Sequence, residues 1–273
     1  NYPADVVRYW ALSSKLGIDA PFSEDQLKLG NKLLVKLWNA AVFVKQNGTT
    51  GKDIVQPRQD LNIWIIDEFN KLHRTYIKYF EKNEFSMALL NLESFFKSIF
   101  CDNYLEISKA QFMDQEKKYD TNQVDETRSI LSSIFEKALH LFAPFFIHTT
   151  EYIYQDIYNK NASKFESLHR ENILNLNYKF DISKEFNFES FLNVLFEIRK
   201  MKTDNNLSLR TMINEIVIYC DNEVMNTLSK SKQLLIDVCY TKNIKFDTQN
   251  KINSQLTKNE NEYFAKVNTI NRT

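Results

Sequence analysis

Turn-forming residues are almost missing from this sequence. It has four glycines and four prolines in 273 residues, where an average chain carries about 12% of the two together. Turn-dense β-sandwiches and glycine-rich nucleotide folds need more punctuation than that, so long helices are favoured. Hydrophobic residues at 43% and charged residues at 26% are ordinary for a globular chain and exclude disorder and collagen-like folds. A chain of this length fits one large domain or two smaller ones.

Apolar spacing supplies the helices. Residues 4–16 read as a first helix closed near Gly17. Ser23 with Gln26 forms a capping box that opens a second, running to about Gln46. Its inner face reads as Leu27, Gly30, Leu34, Leu37, Ala41 and Val44. Three further stretches follow at about 58–82, 84–113 and 123–160, the last broken by Pro144 into 123–143 and 145–160. The short connections predict an antiparallel helix bundle. Most of the 21 Phe and 13 Tyr are expected in its core.

Residues 161–188 read as irregular. A helix at about 189–203, a strand at 215–220, helices near 222–231 and 232–240 and a short strand at 243–246 predict a small α+β unit. The last 25 residues are polar and carry no predicted element or coiled-coil heptad. The expected organisation is a junction helix at 1–22, a bundle at 23–188 and an α+β subdomain at 189–273, mainly α overall.

Thirty-five basic residues balance 35 acidic ones. Nucleic-acid binding therefore needs a local patch rather than net charge. One such patch lies on the second helix. Lys28, Lys32, Lys36, Asn39 and Phe43 recur three or four apart and combine cations, an amide and a ring. Unpaired bases are read by that set: cations for phosphate, amides for base edges, rings for stacking. From Lys28 to Arg58 five lysines and one arginine face one acid, Asp53. The bland alternative is a solvated lysine face with Phe43 in the core. Trp38 reads as a packing residue, and Asn39 either as loop bracing or as a base reader.

Other chemistry is poorly supported. Cys101, Cys220 and Cys239 are odd in number and form no C-x-x-C pair, which suits a reducing compartment. The four histidines lack metal-ligand spacing, so no metal site is expected. Asp102 and Glu106, four apart on one helix, read as ion-pairing or bracing groups rather than an acid–base couple. Ser229-Lys230-Ser231-Lys232 reads as a solvated charge run. No run of about 18 apolar residues suggests a membrane span.

Several segments, in order from Tyr2 to Ser208, resemble the valyl-tRNA synthetase family of class I aminoacyl-tRNA synthetases, downstream of its catalytic domain. Tyr2-Pro3-Ala4-Asp5-Val6-Val7-Arg8-Tyr9-Trp10 is similar to Y-G-A-D-A-[LV]-R-[FY], with Gly17-Ile18-Asp19 and Phe22 continuing it. Lys36-Leu37-Trp38-Asn39-Ala40 matches K-L-[WY]-N-A. Phe100-Cys101-Asp102-Asn103-Tyr104-Leu105-Glu106 is similar to F-C-D-W-Y-[IL]-E. Leu141 to Phe146 with Thr150-Glu151, and Ile198-Arg199-Lys200 to Leu207-Ser208, resemble two later family segments. Pro3, Asn103, Val42 and Tyr152 depart from the pattern, standing where relatives have Gly, Trp, a basic residue and a second acid.

The resemblance implies an anticodon-binding region of valine–tRNA ligase that binds and orients tRNA(Val). The H-I-G-H and K-M-S-K-S motifs are missing, so valylation with ATP and Mg is expected from upstream catalytic and editing domains. These residues alone are expected to be inactive and to carry no cofactor. The N-terminus lacks an initiator Met and reads as a piece of something longer. The resemblance makes Lys36 and Phe43 the leading anticodon contacts and adds Arg8, near the junction, as a candidate for tRNA or for a carboxylate of the parent. It further implies a cytoplasmic, monomeric protein. Two alternatives remain: the same region of an isoleucyl or leucyl enzyme, and a helical protein-interaction scaffold. Against the scaffold, no repeat of about 34 or 40 residues is visible.

Overall fold

The computed structural model describes residues 2–269 except 18, 20, 52, 53, 55, 160–166, 181–187, 249–252, 260 and 261. It is mostly helical, with one small sheet of four strands. The chain separates into two compact units, Asn1–Ser108 with Asp120–Ile182, and Lys109–Tyr119 with Ser183–Thr273. The sequence division at residues 22 and 188 differs from this in two ways. The first helix belongs inside the first unit, and residues 109–119 belong to the second.

In the first unit α1 (Ala4–Ser13) packs against α2 (Glu24–Asn47). It ends three residues before the expected stop, and Gly17 takes a positive φ of 79° beyond it. Helix α2 opens where Ser23 accepts from the Gln26 amide at 3.3 Å. Glu24 and Asp25 in its first turn and Lys45 in its last oppose the helix dipole. Gly30 is required at the α1 contact. A Cβ there would lie 2.5 Å from the Tyr9 ring. Tyr9 in turn donates to Glu93 at 2.6 Å.

The inner face of α2 is Leu27, Gly30, Leu33, Leu37, Ala40, Ala41 and Val44. Leu34, expected inside, is only half-buried, and Leu33 takes its place. At about 100° per residue, adjacent positions compete for one stripe, and the neighbouring helices decide between them.

Helices α3 (Asp60–Glu81), α4 (Phe85–Ser94), α5 (Glu106–Phe112), α6 (Thr121–Phe142) and α7 (Ile147–Ile157) follow the expected stretches. Two features depart from expectation. Between α4 and α5 the chain widens into a π-helical segment, Phe95–Leu105. There Phe96, Phe100 and Tyr104 form a stacked series, and Tyr104 donates to buried Asn62 at 2.9 Å. Helix α7 is capped from afar. The buried Asp5 carboxylate accepts from the His148 and Thr149 amides at 3.2 and 2.8 Å and from the Thr149 hydroxyl at 2.7 Å. A carboxylate at a helix N-terminus satisfies donors that have no partner inside the helix.

Pro144 ends α6 as expected, leaving a turn from Ala143 to Phe146. Asp120 and Gln123 form a reciprocal capping box at its start. As expected, rings fill the core: Phe69, Phe96, Phe100, Phe135, Phe142, Phe145 and Phe146 are all fully buried. Each such side chain contributes about 1.5–3 kcal/mol by leaving water.

The second unit carries α8 (Phe188–Asp204), β1 (Glu215–Tyr219), α9 (Asn222–Lys230), α10 (Lys232–Cys239), β2 (Ile244–Asp247), β3 (Gln255–Asn259) and β4 (Glu262–Asn268). The strand order is β2-β1-β4-β3. β1 runs parallel to both β2 and β4, and β3 is antiparallel to β4. Buried Ile216 and Ile218 register against Ala265 and Val267.

The β3–β4 hairpin falls in the tail expected to be featureless. Its signal is a short alternation, Ala265 and Val267 inside with Phe264 and Lys266 between them, diluted by Asn, Lys and Glu. Lys202 is fully buried and donates to the Leu209 and Cys239 carbonyls at 2.9 and 2.8 Å. Burial lowers its pKa to about 8.

Candidate nucleic-acid interface

Because the inner stripe of α2 is fixed by its packing, the opposite ridge is fixed too. Lys28, Lys32, Val35, Asn39 and Val42 alternate four and three apart along it, and all are exposed. This places Lys28, Lys32 and Asn39 of the predicted set on one outward line. Lys36 and Phe43 lie about 60–80° round the helix from Lys28, and both are half-buried.

The Lys36 flank faces the π-helical segment. Its Nζ lies 2.9 Å from Asp102 Oδ1, the bracing role expected for Asp102. Exposed pairs of this kind contribute about 0–1 kcal/mol. The Phe43 carbonyl accepts from Asn47 Nδ2 at 3.0 Å near the helix end.

On the opposite flank, toward α7, Trp38 is 43% exposed and Tyr152 61%. Their ring centroids are 5.6 Å apart, with planes tilted by 31°. Beside them Ala41, Val42 and Ile153 line a shallow notch. Lys45 and Asp156 sit in the same notch, 2.7 Å apart. Trp38 packs, as expected, but against another exposed ring, and keeps 43% of its surface in water. It lies one turn from both Val35 and Val42, on the exposed side of the wheel. Tyr152 carried a signal as well, since it replaces the acid of the family pattern at a helix surface.

The linear charge count overstates the field here. Lys36 faces Asp102, Lys45 faces Asp156, and Lys28 sits 3.4 Å from Asp25 and 3.8 Å from Glu24. The Lys28 pKa is raised, first by its hydrogen bond to Asp25 and then by Glu24. Lys32 makes no ion pair with another described residue. Lys52 and Asp53, part of the same count, lie outside the described residues. Arg8 does not join the ridge. Its Nε donates to the Pro144 carbonyl at 2.6 Å and ties α1 to the turn after α6.

The family described as "Anticodon-binding domain of tRNA ligase" matches residues 62–218, more than half of the chain. That span begins within α3, so α2 and its ridge precede it. Among curated proteins, the chain is 39% identical over 229 residues to valine–tRNA ligase of Rickettsia prowazekii (strain Madrid E), a match covering 78% of this chain and 27% of that protein. It is 38% identical over 225 residues to valine–tRNA ligase of Rickettsia typhi (strain ATCC VR-144 / Wilmington), with the same coverage. The counterpart of Rickettsia felis (strain ATCC VR-1525 / URRWXCal2) is 36% identical over 223 residues, covering 78% of this chain and 25% of that protein. The chain thus spans about a quarter of the length of the curated relatives it matches.

Proposed function

Because the chain belongs to the anticodon-binding domain family of tRNA ligases, we propose that it holds tRNA(Val) by its anticodon loop as part of a valine–tRNA ligase. The observation that carries the reading is the outward line of α2. Lys28 and Lys32 reach for phosphates, Asn39 offers both a donor and an acceptor to a base edge, and the opposite face is closed into the core. The identity to three valine–tRNA ligases favours valine over the isoleucyl and leucyl alternatives.

In this reading the helices of the first unit form an antiparallel bundle whose task is binding. Valylation, with ATP and Mg, belongs to other domains of the same polypeptide. Lys36 and Phe43 contribute from the flank, and Arg8 serves α1 before it serves RNA. The protein acts as a monomer in the cytoplasm. No helix among the described residues is long and apolar enough to cross a membrane.

The test is a titration of the chain with a tRNA(Val) transcript and with an anticodon-altered transcript at matched salt. Tighter binding of the first is expected. Equal affinity for both removes base readout, and no binding of either removes the function. A helical scaffold that binds protein instead would show no salt-dependent RNA affinity.

A further inference from the structure

Two departures from the family pattern noted in the sequence, Val42 and Tyr152, flank the same exposed ring. Trp38 lines the notch with Val42 and meets the Tyr152 ring at 5.6 Å. Most large rings of the first unit are interior. Trp38 and Tyr152 instead keep much of their surface in water while already touching each other. The notch beside Trp38 is lined by Ala41, Val42 and Ile153 together with the paired Lys45 and Asp156.

Resting on the reading of this chain as an anticodon-loop binder, we propose that Trp38 and Tyr152 form a stacking platform for one unpaired base of the RNA loop. The phosphate of that nucleotide is directed to Lys45, the cation of the notch. A flat apolar ring carrying an anion on a short tether satisfies the rings and Lys45 together. An apolar peptide side chain satisfies only the rings. Both rings keep much of their surface exposed, and stacking on a ring face tolerates any base. The platform therefore adds affinity, while Asn39 on the ridge reads identity. Because Lys45 is held by Asp156, the phosphate has to displace or share that carboxylate, which limits the gain from charge at this point.

The experiment uses the full 273-residue chain and an RNA stem–loop carrying the valine anticodon, with abasic substitutions placed singly in the loop. Binding is followed by tryptophan fluorescence and by a labelled-RNA assay. W38L and Y152A are each expected to weaken binding about tenfold. One abasic position is expected to cost the wild type the same factor and to cost W38L nothing further, the mark of a shared contact. Quenching on RNA addition should vanish in W38L. Thermal melts check folding, and Y152A, at an exposed position, carries the test should W38L fold poorly.

If both variants bind within about twofold of wild type while K32A binds more weakly, the platform is overturned and the anticodon reading stands. If the wild-type chain does not bind the stem–loop at all, both fall. If Trp38 instead governs self-association in sedimentation, the face is a contact between copies and the platform is overturned.

Discussion

The two flanks of α2 are equally close to its outward ridge and are made of similar residue types, yet their environments differ. On one, Lys36 is drawn to Asp102 of the π-helical segment and Phe43 is half-buried. On the other, Trp38 and Tyr152 stand in solvent beside an open notch. A helix's own sequence ranks its residues by angle from the core. What stands opposite each flank decides whether an outer residue is occupied. The first flank meets a segment rich in its own polar groups. The second meets α7, which sets a ring against Trp38 and the Asp156 carboxylate against Lys45.

The largest effect belongs to neither flank. Leu37→Ala on the inner stripe should cost about 2–5 kcal/mol in urea unfolding, since Leu37 is fully buried. A loss below 1 kcal/mol would mean that the inner and outer faces are assigned wrongly. Gly30→Val should follow at about 1–3 kcal/mol through its clash with the Tyr9 ring, read by the same melts. Asp102→Ala releases Lys36 from its carboxylate partner. RNA affinity should rise and the salt slope should steepen by about one, measured against Asp156→Ala, which does the same for Lys45. If only one of the pair tightens binding, RNA contacts one flank and not both.

Phe43→Ala should weaken RNA binding less than W38L, with a modest loss of stability. The reverse order would return the stacking role to the first flank. The smallest effect is a control away from both flanks. Burial, and then Glu171, push the Glu136 carboxyl up to about 7. The folded state then binds more protons than the unfolded state between about pH 4.5 and 7, so stability falls as pH rises through that window. Glu136→Gln should flatten this slope and leave RNA affinity at pH 7.5 unchanged.

Much of the fold was legible. Helix α2 was bounded to within a residue or two because a serine cap, periodic leucines and Asn47-Gly48 agree locally. The break at Pro144 follows from a missing amide and a ring clash. Long-range features were not legible. Nothing near Asp5 announces that it caps α7 more than 140 residues away. No local rule marks Phe95–Leu105 as π-helical. The β3–β4 hairpin is stabilised by the strand beside it rather than by its own composition. At the site, Lys28, Lys32 and Asn39 were placed correctly outside. Trp38 packs as expected, but its partner Tyr152 comes from α7 and is not written in α2, and the count of cations between residues 28 and 58 left out acids beyond that range.

Long amphipathic helices, the outward placement of Lys28, Lys32 and Asn39 on α2, and the family that the segments resemble were all readable from residue order. Periodicity and capping act over a few residues, and that information is written locally. Which outward cations meet a carboxylate, which ring stays wet and how Tyr152 comes to stand against Trp38 were settled by packing. Those outcomes depend on contacts between residues far apart in the chain, whose partners are chosen by packing rather than by neighbours in sequence.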